Sequence, residues 1–315
     1  MTSPAAPAPE KLSRSGLLYA FGAYGLWGLF PLYFLTLEPA TPFEVVGYRI
    51  LFSLIFCTFL IAVSRKWRQL VVILKQRKLM LTLGVAAVLI YINWQVFILA
   101  VLSNQIVESS LGYFINPIVT VVLGVIVLRE KLRTMQWVAV GISFVAVIVL
   151  TVSYGAIPWI SLTLAASFGL YGLIKKRTGV SVDAISGLTI ETMWMTPVAI
   201  IQLMIVSNLV GLSFFGYGFT HTLLLASAGV VTAVPLIMFG AGARRLPLTA
   251  IGLIQYSTPV FSFLMAVFVL HEPMPPVRWV GFFIIWVALI VLTTDMLRHG
   301  KANRLARAAE ELTIE

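Results

Sequence analysis

The chain has 315 residues, of which 60% are hydrophobic and 11% charged, with a mean hydropathy of +0.99. An ordinary globular chain is about a quarter charged, so a soluble domain is excluded. The formal charge of +10 falls in short gaps between apolar blocks and builds no aromatic-interleaved basic face, which argues against nucleic acid as a partner.

Residues 1–14 are rich in Ala and Pro and are expected to form a disordered cytoplasmic N-terminus. Ten apolar blocks follow, at 17–37, 44–63, 79–101, 108–128, 135–154, 157–174, 184–205, 220–243, 248–270 and 279–297. Each is about long enough, at 1.5 Å per residue, to cross a ~30 Å hydrocarbon core as a helix. Barrel strands would be about ten residues long and would alternate, and these blocks do neither. Backbone groups in lipid must be satisfied within each segment, so the blocks are expected to be helices. The first has a basic front like a signal peptide but is too long for the apolar core of one, and reads as a retained helix. Cys57 is the single cysteine and lies inside a block, so an internal disulfide is impossible and a cysteine metal cluster is ruled out. Residues 298–315 form a basic cytoplasmic tail, either a helix lying on anionic lipid or a solvated segment.

Assigning the gaps alternately to the two sides puts 20 of the 22 Lys and Arg residues on one side. Arg278 lies in an outer gap and Arg49 within a span. This positive-inside bias puts both termini in the cytoplasm. The second half also repeats the first. At an offset of 142, Leu111–Thr151 falls on Leu253–Thr293 with fifteen of 41 positions identical, including Pro117/Pro259, Glu130/Glu272 and Trp137/Trp279. Gly25-Leu26-Trp27-Gly28 matches Gly169-Leu170-Tyr171-Gly172 at an offset of 144. Five spans per half is an odd number, so the second half enters the membrane upside down. The expected fold class is therefore an all-α polytopic membrane protein of ten transmembrane helices, arranged as two inverted five-helix repeats over 15–154 and 155–297. Such duplication suits a carrier that rocks about a site between its halves.

The residues also carry a family resemblance. Ser110-Leu111-Gly112-Tyr113-Phe114-Ile115-Asn116-Pro117, then Leu128-Arg129-Glu130-Lys131-Leu132 and Gln136-Trp137, resemble the EamA domain of the drug/metabolite transporter superfamily. Asn93-Trp94-Gln95-Val96-Phe97, Pro158-Trp159, Ser167-Phe168-Gly169-Leu170-Tyr171-Gly172-Leu173, Glu191-Thr192, Thr232-Ala233-Val234-Pro235-Leu236, Ala243-Arg244-Arg245-Leu246, Leu253-Ile254-Gln255-Tyr256 and Ile285-Trp286-Val287-Ala288-Leu289 resemble its RarD family. The likeness covers about residues 15–295. It implies ten helices in two EamA repeats, a bacterial inner-membrane location and a transporter, without naming the solute.

Polar groups inside a span are costly and need partners or water. Arg49 and Glu191 are the formal charges well inside spans, and at offset 142 they are repeat equivalents. By depth they differ by roughly 12 Å, which argues against a direct bridge. Both are expected to face a central aqueous cavity, with Glu191 as the proton-coupling candidate. Arg49 would attract an anionic solute group or pair with Glu44 or Glu108. A snorkelling Arg and a hydrogen-bonded Glu are the bland alternatives. Asn93 and Gln95, about 200° apart around their helix, flank Trp94; at least one should face the interior. The fourth span offers Tyr113, Asn116 and Pro117 and the ninth Gln255, Tyr256, Thr258 and Pro259, two sets related by the repeat. The prolines are candidate hinges and the others candidate cavity groups, with static kinks as the alternative. Tyr24, Trp27 and Tyr171 are candidate aromatic walls or plain packing, and the paired glycines beside them are expected to be close helix contacts. Glu130 and Glu272 are expected to end helices or orient loops.

The histidines and aspartates lie at span ends or in the tail, and no metal site, nucleotide loop or paired catalytic acid is visible. An enzyme, channel or scramblase is therefore disfavoured. No cofactor is expected. The partners are a small-molecule solute, the lipid bilayer and, through Glu191, protons. Export of a small metabolite or drug-like compound is favoured over proton-coupled uptake, and oligomeric state is not legible.

Overall fold

The computed structural model describes residues 13–128, 134–154, 156–178, 181–243, 245–246 and 254–312, and no strand occurs among them. Twelve helices are described: α1 (Arg14–Gly28), α2 (Phe30–Leu35), α3 (Pro42–Val63), α4 (Trp67–Leu74), α5 (Arg77–Leu102), α6 (Ile106–Leu128), α7 (Thr134–Tyr154), α8 (Trp159–Thr178), α9 (Ala184–Leu209), α10 (Gly218–Ala243), α11 (Ser257–Leu264) and α12 (Pro276–Leu312). A π turn, Met265–Val269, continues α11. Seven described stretches are long and apolar enough to cross a membrane: Arg14–Leu35, Pro42–Val63, Arg77–Leu102, Thr134–Val152, Ala184–Leu209, Gly218–Phe239 and Pro276–Asp295. The expected spans 108–128 and 157–174 fall on α6 and α8, while the start of 248–270 lies outside the described residues, as do residues 1–12 and Glu130. The tail backbone stays helical to Leu312.

Local chemistry sets the boundaries. Thr41 and Asp183 cap α3 and α9, their side chains accepting from the Glu44 and Ser186 amides. Pro31 lacks the amide that would bond back toward Trp27, and the first span breaks at Leu29 between α1 and α2. Pro117 sits inside an unbroken α6. Its counterpart Pro259 lies in the first turn of α11, directly after a break in the helical ladder at Gln255 and Tyr256.

Eight helices pack in a closed ring in the order α1, α10, α3, α9, α5, α8, α6, α11 and back to α1. Helices α7 and α12 pack on each other and on α6 outside it. Leu18, Ile55, Phe59, Val85, Phe144 and Phe268 are more than half exposed. An aqueous protein rarely carries so much outward apolar surface, whereas lipid solvates it.

Close approach falls on glycines, on two of the four expected and on others besides. A Cβ on Gly28 or Gly169 would meet Phe261 or Val119, but one on Gly25 or Gly172 meets nothing. The expectation of tight contact thus fails for Gly25 and Gly172. Among the described glycines the tightest is Gly229 on α10, where a Cβ would lie 2.2 Å from the Phe52 carbonyl carbon of α3.

Helices α3 and α9 run antiparallel. Gln202, late in α9, donates to the Phe43 carbonyl at the start of α3 (2.5 Å), and Lys66, beyond the end of α3, pairs with Asp183 at the start of α9 (3.1 Å). Burial raises the Asp183 carboxyl, but hydrogen bonds from Ser186 and Lys66 outweigh it and leave the net value below the ordinary aspartate range.

Gly229→Ala is expected to force backbone apart at the α3–α10 contact and to destabilise the protein by at least about 1–3 kcal/mol in a detergent unfolding assay, whereas Gly25→Ala leaves stability unchanged. For Asp183, a depressed folded value means its contribution is complete above the unfolded pKa of about 4 and is lost as pH falls through the folded value. Asp183→Ala should lose about 1 kcal/mol at neutral pH and show a smaller stability loss on acidification than the wild type.

Candidate functional site

Arg49 lies two turns into α3 and is 3% exposed. Its Nε donates to the Thr232 hydroxyl of α10 at 2.8 Å, and Thr232 donates onward to the Ala228 carbonyl at 2.7 Å. The guanidinium carbon sits 4.2 Å from the Trp94 ring centroid, 5.2 Å from Phe34 and 5.7 Å from Phe30. Its Nη1 is buried with no hydrogen-bond partner. Neither acid considered as a partner pairs with it: Glu44 accepts from the Ser213 amide at 2.7 Å, and the ion pairs formed by described residues do not include Arg49 with Glu108. Each ring face contributes about 0.5–2 kcal/mol. Removing an ion from water costs several kcal/mol even after relaxation, so the rings leave this cation under-compensated.

Beside it, α5 and α6 are laid onto α8 by amides. Tyr113 donates to Asn93 Oδ1 (3.1 Å), Asn93 Nδ2 to the Leu164 carbonyl (3.2 Å) and Ser167 Oγ (3.1 Å), and Asn116 Nδ2 to the Ala165 carbonyl (3.1 Å). Gln95 points to α9, accepting from Gln202 Nε2 at 3.2 Å, while Tyr91 donates to Gln202 Oε1. The helical offset of Asn93 and Gln95 therefore directs one to each neighbouring helix.

Glu191 is fully buried on α9. Lys175 Nζ reaches its Oε1 at 2.7 Å and the Tyr171 hydroxyl donates to Oε2 at 3.1 Å. Lys175, which by sequence belongs to a cytoplasmic gap, instead turns back to form the counter-ion. Its i,i+4 spacing from Tyr171 is the available signal, since that places both on one face of α8. A run of edge-to-face and tilted rings, Phe34, Phe97, Tyr113, Phe168 and Tyr171, links the surroundings of Arg49 to Glu191, with centroids 5.9–6.1 Å apart. The two charges stay apart. With Gly47 against Leu203 in the antiparallel pair, Arg49 lies opposite residue 201, about ten residues or ~15 Å along α9 from Glu191.

The other candidates are placed nearer the edges. Trp27 packs with Tyr24 and Phe239. Gln255 is half-buried at the helix break, and Tyr256 lines a groove with Leu289, Ile290, Thr293 and Thr294. Glu272 Oε2 accepts from the Val107 amide at 3.0 Å, capping α6, and Oε1 lies 3.5 Å from Arg278. Burial pushes this carboxyl above the ordinary glutamate range. A cleft of about 250 Å³ opens nearby between Glu108, Trp159, Arg278 and Phe282. Arg49, Asn93, Trp94, Asn116, Tyr171 and Glu191 are all under one-tenth exposed, so the centre of the ring is closed in this structure.

A model of the EamA-like transporter family matches residues 14–152. The Protein RarD of Streptomyces exfoliatus is 45% identical over 97% of this chain and 96% of its own length. This chain belongs to the RarD family of EamA-like transporters. It is thereby a member of the drug/metabolite transporter superfamily, and its apolar helices make it a multi-pass membrane protein. An uncharacterized transporter of Bacillus subtilis (strain 168), YojE, is 40% identical over 93% of this chain and 98% of its own. A solved crystal structure shares the fold at a TM-score of 0.58 and 16% identity, covering 90% of this chain and 98% of that one.

Lys175→Met should destabilise this RarD-family protein by about 1–3 kcal/mol, the cost of leaving a buried charged acceptor without its donor. Lys175→Met combined with Glu191→Gln should recover much of that loss in a double-mutant cycle of unfolding free energies.

Proposed function

We propose that this chain is a secondary-active or facilitative carrier that exports a small metabolite or drug-like solute by alternating access. It would act in the bacterial inner membrane with both termini cytoplasmic and ten spans, residues 15–154 and 155–297 being two five-helix units of opposite orientation. The packing pattern carries this reading. Exchange α1 with α8, α3 with α9, α5 with α10, α6 with α11 and α7 with α12, and the principal packed pairs map onto one another. The α1–α10 contact becomes α8–α5, α3–α10 becomes α9–α5, α6–α8 becomes α11–α1, and α3–α9, α6–α11 and α7–α12 map onto themselves. The equivalents α3 and α9 begin 142 residues apart, at Pro42 and Ala184, and lie antiparallel. Two units so related give inward-open and outward-open forms of similar energy. Relatives that are named transporters support the same class.

A reading as a proton-coupled permease rests on a separate observation, the buried Glu191 held by Lys175 and Tyr171. In that reading, release of Glu191 from Lys175 lets it take up a proton during the cycle.

The test is reconstitution. Solutes first picked out by comparing metabolites inside and outside cells with and without the protein should show saturable flux and counterflow in proteoliposomes. Flux that rises linearly with concentration and shows no counterflow would remove the carrier reading. Under proton coupling, Glu191→Gln should flatten the pH dependence of that flux, and an unaltered rate and pH profile would eliminate the proton role.

A further inference from the structure

Among the described residues, three buried side-chain atoms have no hydrogen-bond partner, Arg49 Nη1, Ser53 Oγ and Gln95 Nε2, and of these Arg49 alone carries a charge. Its face is used against Trp94 and its Nε by Thr232, while Nη1 remains buried and unpartnered. One turn further along α3, and so on the same helix face, the Ser53 hydroxyl is also fully buried without a partner. Glu44, on the same helix, is committed to the Ser213 amide, and the more distant Glu191 to Lys175 and Tyr171. Stacking on a ring leaves the planar edge of a guanidinium available for a carboxylate. The walls around it are Phe30, Phe34 and Trp94, continued by Phe97 and Tyr113.

We propose that Arg49, aided by the Ser53 hydroxyl, receives the carboxylate of an amphipathic organic monoanion whose apolar or aromatic body lies along the ring faces of Phe34, Phe97 and Tyr113. This substrate class rests on the carrier reading above. One guanidinium balances one charge. A dianionic phosphate would leave a second charge in an apolar box, and a cation would meet the wrong sign. The box is shut here, so the anion enters when the ring opens to one side.

The experiment uses detergent-purified full-length protein and a panel of monocarboxylates with aliphatic and aromatic bodies. Each is compared with its primary amide, and all with chloride. At least one carboxylate at a hundredfold excess over its Kd should raise the unfolding temperature by about 3 °C or more, with its amide and chloride at least tenfold weaker. Ser53→Ala should weaken that carboxylate several-fold, and Arg49→Gln should abolish its preference over the amide. A ligand-free measurement covers the panel's finite size. If Arg49 is kept for an anion rather than for packing, Arg49→Met leaves the unfolding temperature unchanged or higher, as neutralising a buried unpaired charge should. The proposal is overturned if every carboxylate binds no better than its amide, if chloride alone reproduces the effect, or if Arg49→Met lowers the unfolding temperature by several degrees. Carboxylate binding without counterflow in proteoliposomes would instead remove the carrier reading and leave the anion subsite standing. Counterflow of a neutral solute with no carboxylate preference would do the reverse.

Discussion

The antiparallel docking of α3 on α9 organises the centre of this protein. Lys66 and Asp183 tie one end of the pair, and Gln202 on the Phe43 carbonyl ties the other. With that register set, the same position in each helix carries the two buried charges, Arg49 and Glu191, toward opposite ends of the antiparallel pair. Each charge must then find its own company. Glu191 is met by Lys175 and Tyr171; Arg49 is met by Thr232 and the faces of three rings. The division matters energetically, because one site is a closed ion pair and the other a cation without a counter-ion among the described residues.

The ring of eight helices explains why so much polarity can sit within an apolar chain. The Asn93, Asn116 and Gln202 amides all end on partners from a neighbouring helix, so none is turned toward lipid. These bonds are individually modest, about 1 kcal/mol or less in a membrane. Their effect is to fix which helix faces which. The tight contacts add to this, because Gly229 brings the α10 backbone against that of α3 at the level where Thr232 meets Arg49.

Much of this is legible in the sequence. Hydropathy locates the long apolar helices, though not the short α4 between two of the expected blocks, and the 142-residue offset alone pairs Arg49 with Glu191. The physical cost of a charge in lipid is enough to single both out. Their partners are not legible, because a partner on another helix leaves no local trace. Lys175 is hidden for a further reason. It ends a span in the run Lys175-Lys176-Arg177, which reads as a topology signal, and only its spacing from Tyr171 betrays an inward face. The glycine pattern misleads in a similar way. Gly25 and Gly172 stand in a conspicuous repeat yet have open space where a Cβ would be, whereas Gly229 stands in an inconspicuous apolar run and is the most tightly packed of the described glycines. Pro117 and Pro259 are equivalent in sequence, but the ladder breaks only beside Pro259.

The closed centre and the proposed alternating-access cycle together make one demand: the groups around Arg49 must become accessible from each side of the membrane in turn. Single cysteines placed at Ser53 and at Thr232, in protein with Cys57 replaced by Ala, can be probed with a membrane-impermeant thiol reagent in right-side-out and inside-out vesicles. The account predicts labelling from both sides, with a transported solute changing the balance between them. Labelling from one side alone, whatever the solute conditions, would contradict it.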